Sequence, residues 1–478
     1  MQKSYIELEI ELEKTQQELT ATKQELDKTK NLLKIALDQI LLLRQEVEKL
    51  KQQIDKNSKN SSKPPSTDQK SNTSANEKIN RGSREGKSRS LFPKDKIDKT
   101  IECSAEECPC CKSHDIKEIA AAILQQIELP EVKATITEFI LKKYTCHSCG
   151  QNFKADLPDG IPYSSFGSKL MGLISILTGV YHLAKREAIQ LVKDLYDIDI
   201  GLGSIPNIEE RVTNSLESVY QRIHNFILNS TLTKHFDETG WRNNGKRHFV
   251  WIATSSEAAI YRLDRHRNQV AFEALTKNQD LSDKKCVTDR YATYNNISKI
   301  HQFCLAHLIR EFRSFAQRAG PDKIIGQSLE KLLSKACYFH KKFRDNKIRL
   351  ADRNRQLGKI IKKVQYWLED GHANGSDELS GLCERLLNKF DNMWVFSKYT
   401  DVEPTNNLAE RDLRKLVIWR KKSYSTRSER GKKFVERITS ISQTLRKQGK
   451  NVLKFIESTL KNFYSDKEPE LINPALDF

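Results

Sequence analysis

Three acidic residues, far apart in the chain, stand in settings that suit metal-assisted chemistry. Asp237 lies in His235-Phe-Asp-Glu-Thr-Gly-Trp241, a run with strand character. Alternation that turns Phe236 into a core places Asp237 on the opposite face, near the strand's end. Asp289 falls just past a second strand, in Val287-Thr-Asp-Arg-Tyr291. Carboxylates at the ends of neighbouring strands converge on one point and repel unless a cation lies between them. Mg²⁺ or Mn²⁺ with oxygen ligands is the natural solution. Glu410 follows in Glu403-Pro-Thr-Asn-Asn-Leu-Ala-Glu-Arg-Asp-Leu-Arg414, where Pro404 and the polar Thr-Asn-Asn open a helix. Each acid also has an ordinary explanation. A lone aspartate is usually a turn or N-cap residue. Asn407 and Glu410 have the spacing of a capping box. Glu410 and Arg414 are an i,i+4 ion pair worth only ~0.2–0.5 kcal/mol.

A second chemistry is carried by cysteine. Cys108 and Cys111 form a C-x-x-C pair, and Cys146 and Cys149 repeat it after 34 intervening residues. Two such turns bring four thiolates to a tetrahedral Zn²⁺, a structural site because four protein ligands leave no open position. Cys103 and Cys110 are spare, and either is able to replace Cys108 or Cys111. Four unrelated buried cysteines are the plain alternative, but they do not generate two matched pairs.

The elements that must position these residues follow from periodicity. From Thr231 to Trp241 the chain reads as a strand, Asn243-Asn244-Gly245-Lys246 as a hairpin turn, and His248 to Thr254 as the partner strand. A third strand is expected at Ala259–Leu263, a helix at Gln269–Lys277, a fourth strand at Lys285–Thr288 and a fifth at Ile300–Leu305. Three antiparallel strands, a helix, then strands alternating with helices is the order of a ribonuclease H-like sheet. A helical insertion is expected at about 307–398, within a core spanning 231–430.

Upstream, residues 1–55 carry a seven-residue period. Tyr5, Leu12, Leu19, Leu26, Leu33, Ile40, Val47 and Ile54 share one position, a narrow stripe that fits a coiled-coil seam. A single long solvated helix is the alternative. Residues 56–98 hold 11 Lys+Arg and 5 Asp+Glu with few large apolar residues, the composition of a disordered basic linker. Residues 99–160 form the zinc-binding module, with β-prone runs at Gln126–Leu129 and Thr135–Tyr144. Residues 161–230 are helical, at Leu170–Leu183, Ala188–Tyr196 and Ile205–Leu228, and either a DNA-reading unit or a plain bundle. Residues 431–478 are expected to be basic C-terminal helices. The fold class is multidomain α+β.

Charge identifies a partner. The 478 residues carry 81 Lys+Arg against 63 Asp+Glu, a formal net charge of +18, and a polyanion is the simplest use for that surplus. Residues 414–461 alone hold 15 Lys+Arg and 3 Asp+Glu. Arg414, Arg420, Lys421, Lys422, Arg427 and Arg430 are therefore candidate DNA-phosphate contacts. The plain alternative is a solvated helical face. No apolar run reaches the ~18–20 residues of a membrane span. The N-terminus lacks the apolar core of a secretory signal, and paired thiols favour metal ligation in a cytoplasm.

Taken in order, Asp-Glu-Thr-Gly-Trp241, Thr288-Asp-x-Tyr291, Cys304-Leu-Ala-His307 and Pro404-Thr-Asn-Asn-x-Ala-Glu-Arg411 resemble the transposases of the insertion sequence 66 family. The linker motif Asn60-Ser-Ser-Lys-Pro-Pro-Ser66 belongs to the same resemblance, which covers nearly the whole chain. It implies a DDE core in which Asp237, Asp289 and Glu410 bind two Mg²⁺ or Mn²⁺ ions. It also implies that the DNA substrates are the terminal inverted repeats of the chain's own element and a target. Self-association through the coiled coil, and accessory proteins of the same element, are implied partners. Cys304 and His307 match a family Cys-x-x-His, read here as a buttress because two ligands make a poor metal site. Arg290 stands where the family commonly has Gly. Two rivals remain: a coiled-coil, zinc-containing DNA-binding regulator with an inactive nuclease fold, and a nuclease or resolvase that cuts without joining.

Overall fold

A computed structural model describes residues 5–54 and 91–469. Most of the expected linker, the first four residues and the last nine of the chain lie outside the described residues.

Helix α1, Tyr5–Ile54, contains neither Gly nor Pro. Its seam residues from Leu12 to Val47 face solvent in the single chain, Leu26 at 53% and Leu33 at 61% exposure. The seam threonines return their hydroxyls to the carbonyl one turn back, Thr15 to Glu11 and Thr22 to Glu18 at 2.7 Å and Thr29 to Glu25 at 2.8 Å. That local bond satisfies the hydroxyl without a partner chain.

In the cysteine segment, strand β1 (Lys143–Thr145) pairs antiparallel with β2 (Asn152–Lys154), and Tyr144 stacks on Phe153 at 5.5 Å. The β-prone run Gln126–Leu129 and the first part of Thr135–Tyr144 form neither strand nor helix. Strand propensity yields a strand only where a neighbouring segment offers a hydrogen-bonding edge, and here apolar side chains such as Ile136 stand almost wholly exposed.

The described residues fall into two compact units. The unit holding, among the described residues, 91–222 and 421–469 contains α2 (Ser168–Gly179), α3 (Lys185–Tyr196) and α4 (Ser204–Ser215). Pro206 sits in the first turn of α4, where a missing N–H costs nothing. The helix α5 (Glu217–Asn229) follows, so the single expected run Ile205–Leu228 is broken near Leu216. The late basic helices, numbered α13 (Glu429–Lys447) and α14 (Val452–Phe463), pack on α2 and α4. Gly179 permits the approach: a Cβ there would lie 2.8 Å from the Phe434 ring and 2.9 Å from Ile438.

The other unit is built on a five-stranded sheet. Its strands are β3 (Lys234–Asn243), β4 (Lys246–Thr254), β5 (Ala259–Asp264), β6 (Lys285–Thr288) and β7 (Ile300–Phe303), in the order β5-β4-β3-β6-β7. The first three are antiparallel, and β6 and β7 run parallel to β3. Asn244 and Gly245 both take positive φ, the two-residue turn read from Asn-Asn-Gly-Lys. Helix α6 (Gln269–Thr276) makes the crossover from β5 to β6.

After β7 come α7 (Leu305–Ala316), α8 (Pro321–Arg344), α9 (Leu350–Asn374), α10 (Asp377–Leu387) and α11 (Val395–Lys398). This stretch shares its core with the sheet, since Val287 and Phe303 belong to the same buried cluster as Leu308, Leu333, Val364 and Phe396. Helix α12 (Asn407–Ser423) returns to the strands. Its buried Asp412 accepts from Thr254 Oγ1 at 2.8 Å, and Trp419 meets Trp241 edge-on at 6.1 Å.

Candidate active site

Strand register brings the two aspartates together. His235 is paired with Val287, and carrying the same parallel offset two residues on places Asp237 beside Asp289. Each carboxylate is tied to its own backbone. Asp237 Oδ1 accepts from Glu238 N at 2.8 Å, and Asp289 Oδ1 accepts from Tyr291 N at 2.9 Å. The Cys304 N–H donates to Thr288 O at 2.8 Å, which fixes the start of α7 against the end of β6.

Burial pushes the Asp237 carboxyl well above the usual carboxylate range, and the charges of Glu238, Asp289 and Glu410 push it further. Asp289 is also raised, again by burial, with Arg267 and Arg290 acting in the opposite direction. Like charges gathered with so little compensation are the electrostatic setting of a cation site. An all-oxygen donor set fits Mg²⁺ or Mn²⁺.

Glu410 is positioned by a residue that sequence reasoning passed over. Asn406 is fully buried. Its Nδ2 donates to Phe236 O at 2.7 Å, its Oδ1 lies 3.1 Å from His235 Nδ1, and its backbone N–H donates to Cys304 Sγ at 3.1 Å. The Asn406 carbonyl then accepts from Glu410 N at 3.2 Å, starting α12. Leu305 N donates to Pro404 O at 2.9 Å beside it. Thus Pro-Thr-Asn-Asn does more than open a helix: it fastens that helix to β3 and α7. The Asn-Asn pair was the available signal, but its tertiary partners are 100 and more residues away.

The Glu410 carboxylate meets α7. Arg310 Nη2 donates to its Oε1 at 3.3 Å, and His307 Nδ1 lies 3.7 Å from the same oxygen. Among the described residues these are its ion partners, rather than Arg414 on its own helix. Among them too, the group of potential ligand atoms within 4.8 Å of one another is Cys304, His307 and Glu410, and the three acids do not form such a group.

Glu238, beside Asp237, is spoken for. Its side chain is 2% exposed. One oxygen accepts from Arg267 Nε at 2.8 Å, and the other accepts from the Tyr294 hydroxyl. Arg267 stacks 4.2 Å from the centre of the Tyr291 ring, whose hydroxyl donates to Arg267 O at 2.6 Å. This network joins the strand of Asp237 to the loop of Asp289. Arg290 pairs with Glu311 on α7, which gives the side chain at this position a structural partner.

The cysteine pairs form matched turns. Cys108 N donates to Ser113 O and Lys112 N to Cys108 O, each at 2.9 Å; Cys146 N donates to Gln151 O at 2.9 Å and Gly150 N to Cys146 O at 2.8 Å. Backbone N–H groups of Cys111 and Cys110 hold the Cys108 thiol below its usual range, and those of Cys149 and Ser148 do the same for Cys146. All four are free cysteines, and such N–H donors suit thiolate ligands of zinc. The four sulfurs do not lie within 4.8 Å of one another, so the turns are built separately and not closed on each other.

Of the candidate DNA contacts, Arg414, Lys421, Lys422, Arg427 and Arg430 are exposed. Arg430 pairs with Glu210 at 3.1 Å. Arg420 is half-buried, and its guanidinium donates to the Gly240 carbonyl on β3. Among the described residues no helix is long and apolar enough to cross a membrane.

A family model described as "Transposase IS66 family" matches residues 164–434. The "zinc-finger binding domain of transposase IS66" matches residues 105–150, which indicates a structural zinc in that segment. A family of unknown function (DUF6444) matches residues 9–91. Comparison with curated proteins gives no match.

Proposed function

The chain belongs to the IS66 family of transposases, whose model covers more than half of it, and on that premise we propose that it cuts and joins the ends of a mobile DNA element at Asp237, Asp289 and Glu410. The observation that carries this reading is the register that sets Asp237 beside Asp289: His235 pairs with Val287 across β3 and β6, and Asp237, within β3 rather than at the expected strand end, is raised by burial and then by Glu238, Asp289 and Glu410. Such an arrangement costs stability and is retained where cation binding is the task. The sheet order β5-β4-β3-β6-β7 supports a ribonuclease H-like core for it.

Two divalent ions, when bound, lower the pKa of the attacking hydroxyl and stabilise the leaving oxygen. The protein's own part is positioning. Asp237 and Asp289 supply carboxylate oxygens from adjacent parallel strands. Asn406 holds the first turn of α12 against β3, so that Glu410 reaches the same charge field. Phosphoryl transfer asks mainly for such positioning and charge neutralisation, and the same residues serve cutting by water and joining by a DNA 3′-hydroxyl.

Arg414, Lys421, Lys422, Arg427 and Arg430 supply phosphate contacts. Cys108, Cys111, Cys146 and Cys149 hold a structural Zn²⁺, which draws the two turns together. Helix α1 mediates self-association, its exposed leucine stripe being the surface that supports this. The direct test is incubation of the full chain with element-end DNA and Mg²⁺. Metal-dependent cleavage with strand-transfer products supports the reading; binding without cleavage contradicts it.

A further inference from the structure

Cys304 and His307 alone make a poor metal site, but the fold adds a third ligand from a distant helix. One ligand atom each from Cys304, His307 and Glu410 lies within 4.8 Å of the others. Tetrahedral Zn²⁺ with bonds of ~2.0–2.3 Å sets its ligands roughly 3.3–3.7 Å apart, so small side-chain movements close the set. We propose that Cys304, His307 and Glu410 form a second zinc site, with the fourth position left to water.

The Cys304 sulfur accepts from Asn406 N at 3.1 Å, and Cys304 stands at the N-cap of α7, beside His307. Burial pushes the free thiol up to about 11, so zinc binds there by displacing the thiol proton. His307 Nδ1 is buried, makes no hydrogen bond, and faces the Glu410 carboxylate at 3.7 Å. A buried ring nitrogen without a partner is costly unless something occupies it. Arg310 also faces the site. Its Nη2 donates to the same Glu410 Oε1 that faces His307, so zinc binding displaces that contact. Sulfur, nitrogen and one carboxylate select Zn²⁺ over Mg²⁺.

The two metal chemistries then compete for one side chain. Zinc on Cys304 and His307 keeps Glu410 on α7, away from Asp237 and Asp289, and so opposes Mg²⁺-dependent cleavage. That consequence rests on the proposed catalytic role of Glu410; the site itself does not.

The test is a metal count on the full chain, stripped with chelator and reloaded with Co²⁺ under reducing conditions. The wild type should hold one more equivalent than Cys304→Ser. His307→Gln should lose the same equivalent, and Asp237→Asn should keep it. Equal counts in wild type and Cys304→Ser would overturn the proposal. Cadmium-113 NMR of the wild type needs no variant, which guards against misfolding of Cys304→Ser. It should show a resonance for a one-sulfur site, separate from any four-sulfur signal, and its absence overturns the site. Neither readout involves DNA, so a chain that fails to cleave leaves the result intact.

Discussion

The side-chain amide of Asn406 donates to the Phe236 carbonyl across 2.7 Å. This bond ties the residue before Asp237 to the residue whose own carbonyl starts the helix of Glu410. Separation along the chain is 170 residues, yet the two catalytic candidates depend on one buried amide.

Asn406→Ala should therefore cost about 1–3 kcal/mol, since it removes the buried bond from Nδ2 to the Phe236 carbonyl and the contact of Oδ1 with His235 Nδ1. Denaturant midpoints measure it. Cleavage should fall at least tenfold under conditions where the variant is still folded. A loss below about 0.5 kcal/mol would mean that α12 is held by other contacts, with Asp412 and Trp419 the first to consider.

The raised carboxyls make stability pH-dependent. Asp237 and Asp289 keep protons in the folded chain that the unfolded chain has already released. Without metal, their contribution thus falls as pH climbs from the ordinary carboxylate range through their raised folded values. A divalent ion relieves repulsion only in the ionised form. Mg²⁺ should then raise the melting temperature more at pH 8 than at pH 5. Asp237→Asn should stabilise the metal-free chain at pH 8. A Mg²⁺ effect that is equal at both pH values speaks against the two aspartates as ligands.

DNA affinity should decline steeply with salt, each neutralised phosphate adding ~0.9 to the log–log slope. Replacing Lys421, Lys422 and Arg427 with Gln should flatten that slope by up to about 3. Arg420→Gln should behave differently, reducing stability through the lost contact with Gly240 while leaving the slope nearly unchanged. An unaltered slope in the triple variant moves the DNA path elsewhere.

Leu26→Lys with Leu33→Lys should abolish self-association of the full chain without loss of helix content. Both leucines are more than half exposed in the single chain, so the change costs the monomer little. Sedimentation showing an unchanged oligomer would place the interface off α1.

Much of this architecture was legible in the sequence, and the misses have physical causes. Alternation and Asn-Asn-Gly-Lys located β3 and β4 to within three residues and their turn at its observed place, because both signals are local. The β-prone runs at Gln126–Leu129 and Thr135–Tyr144 form a strand only from Lys143, because propensity alone does not supply a pairing edge. The contact of Arg420 with Gly240 was not legible, because its partner lies 180 residues away. Asn406 and Arg310 escaped notice because their roles are defined by partners far off in the chain. The Cys304–His307 pair looked like two ligands until the fold supplied Glu410.

Substitution of the acids bears most directly on the proposed chemistry. Asp237→Ala, Asp289→Ala and Glu410→Gln should each abolish Mg²⁺-dependent cleavage and joining of element-end DNA while leaving its binding within about twofold, because binding rests on Lys and Arg. Glu410→Gln is the decisive member. It keeps the size and helix position of the side chain but removes the charge that holds a divalent ion. Cleavage lost with binding retained is the result expected. Near-normal cleavage by Glu410→Gln would contradict the assignment and leave Glu410 as the residue that merely begins α12.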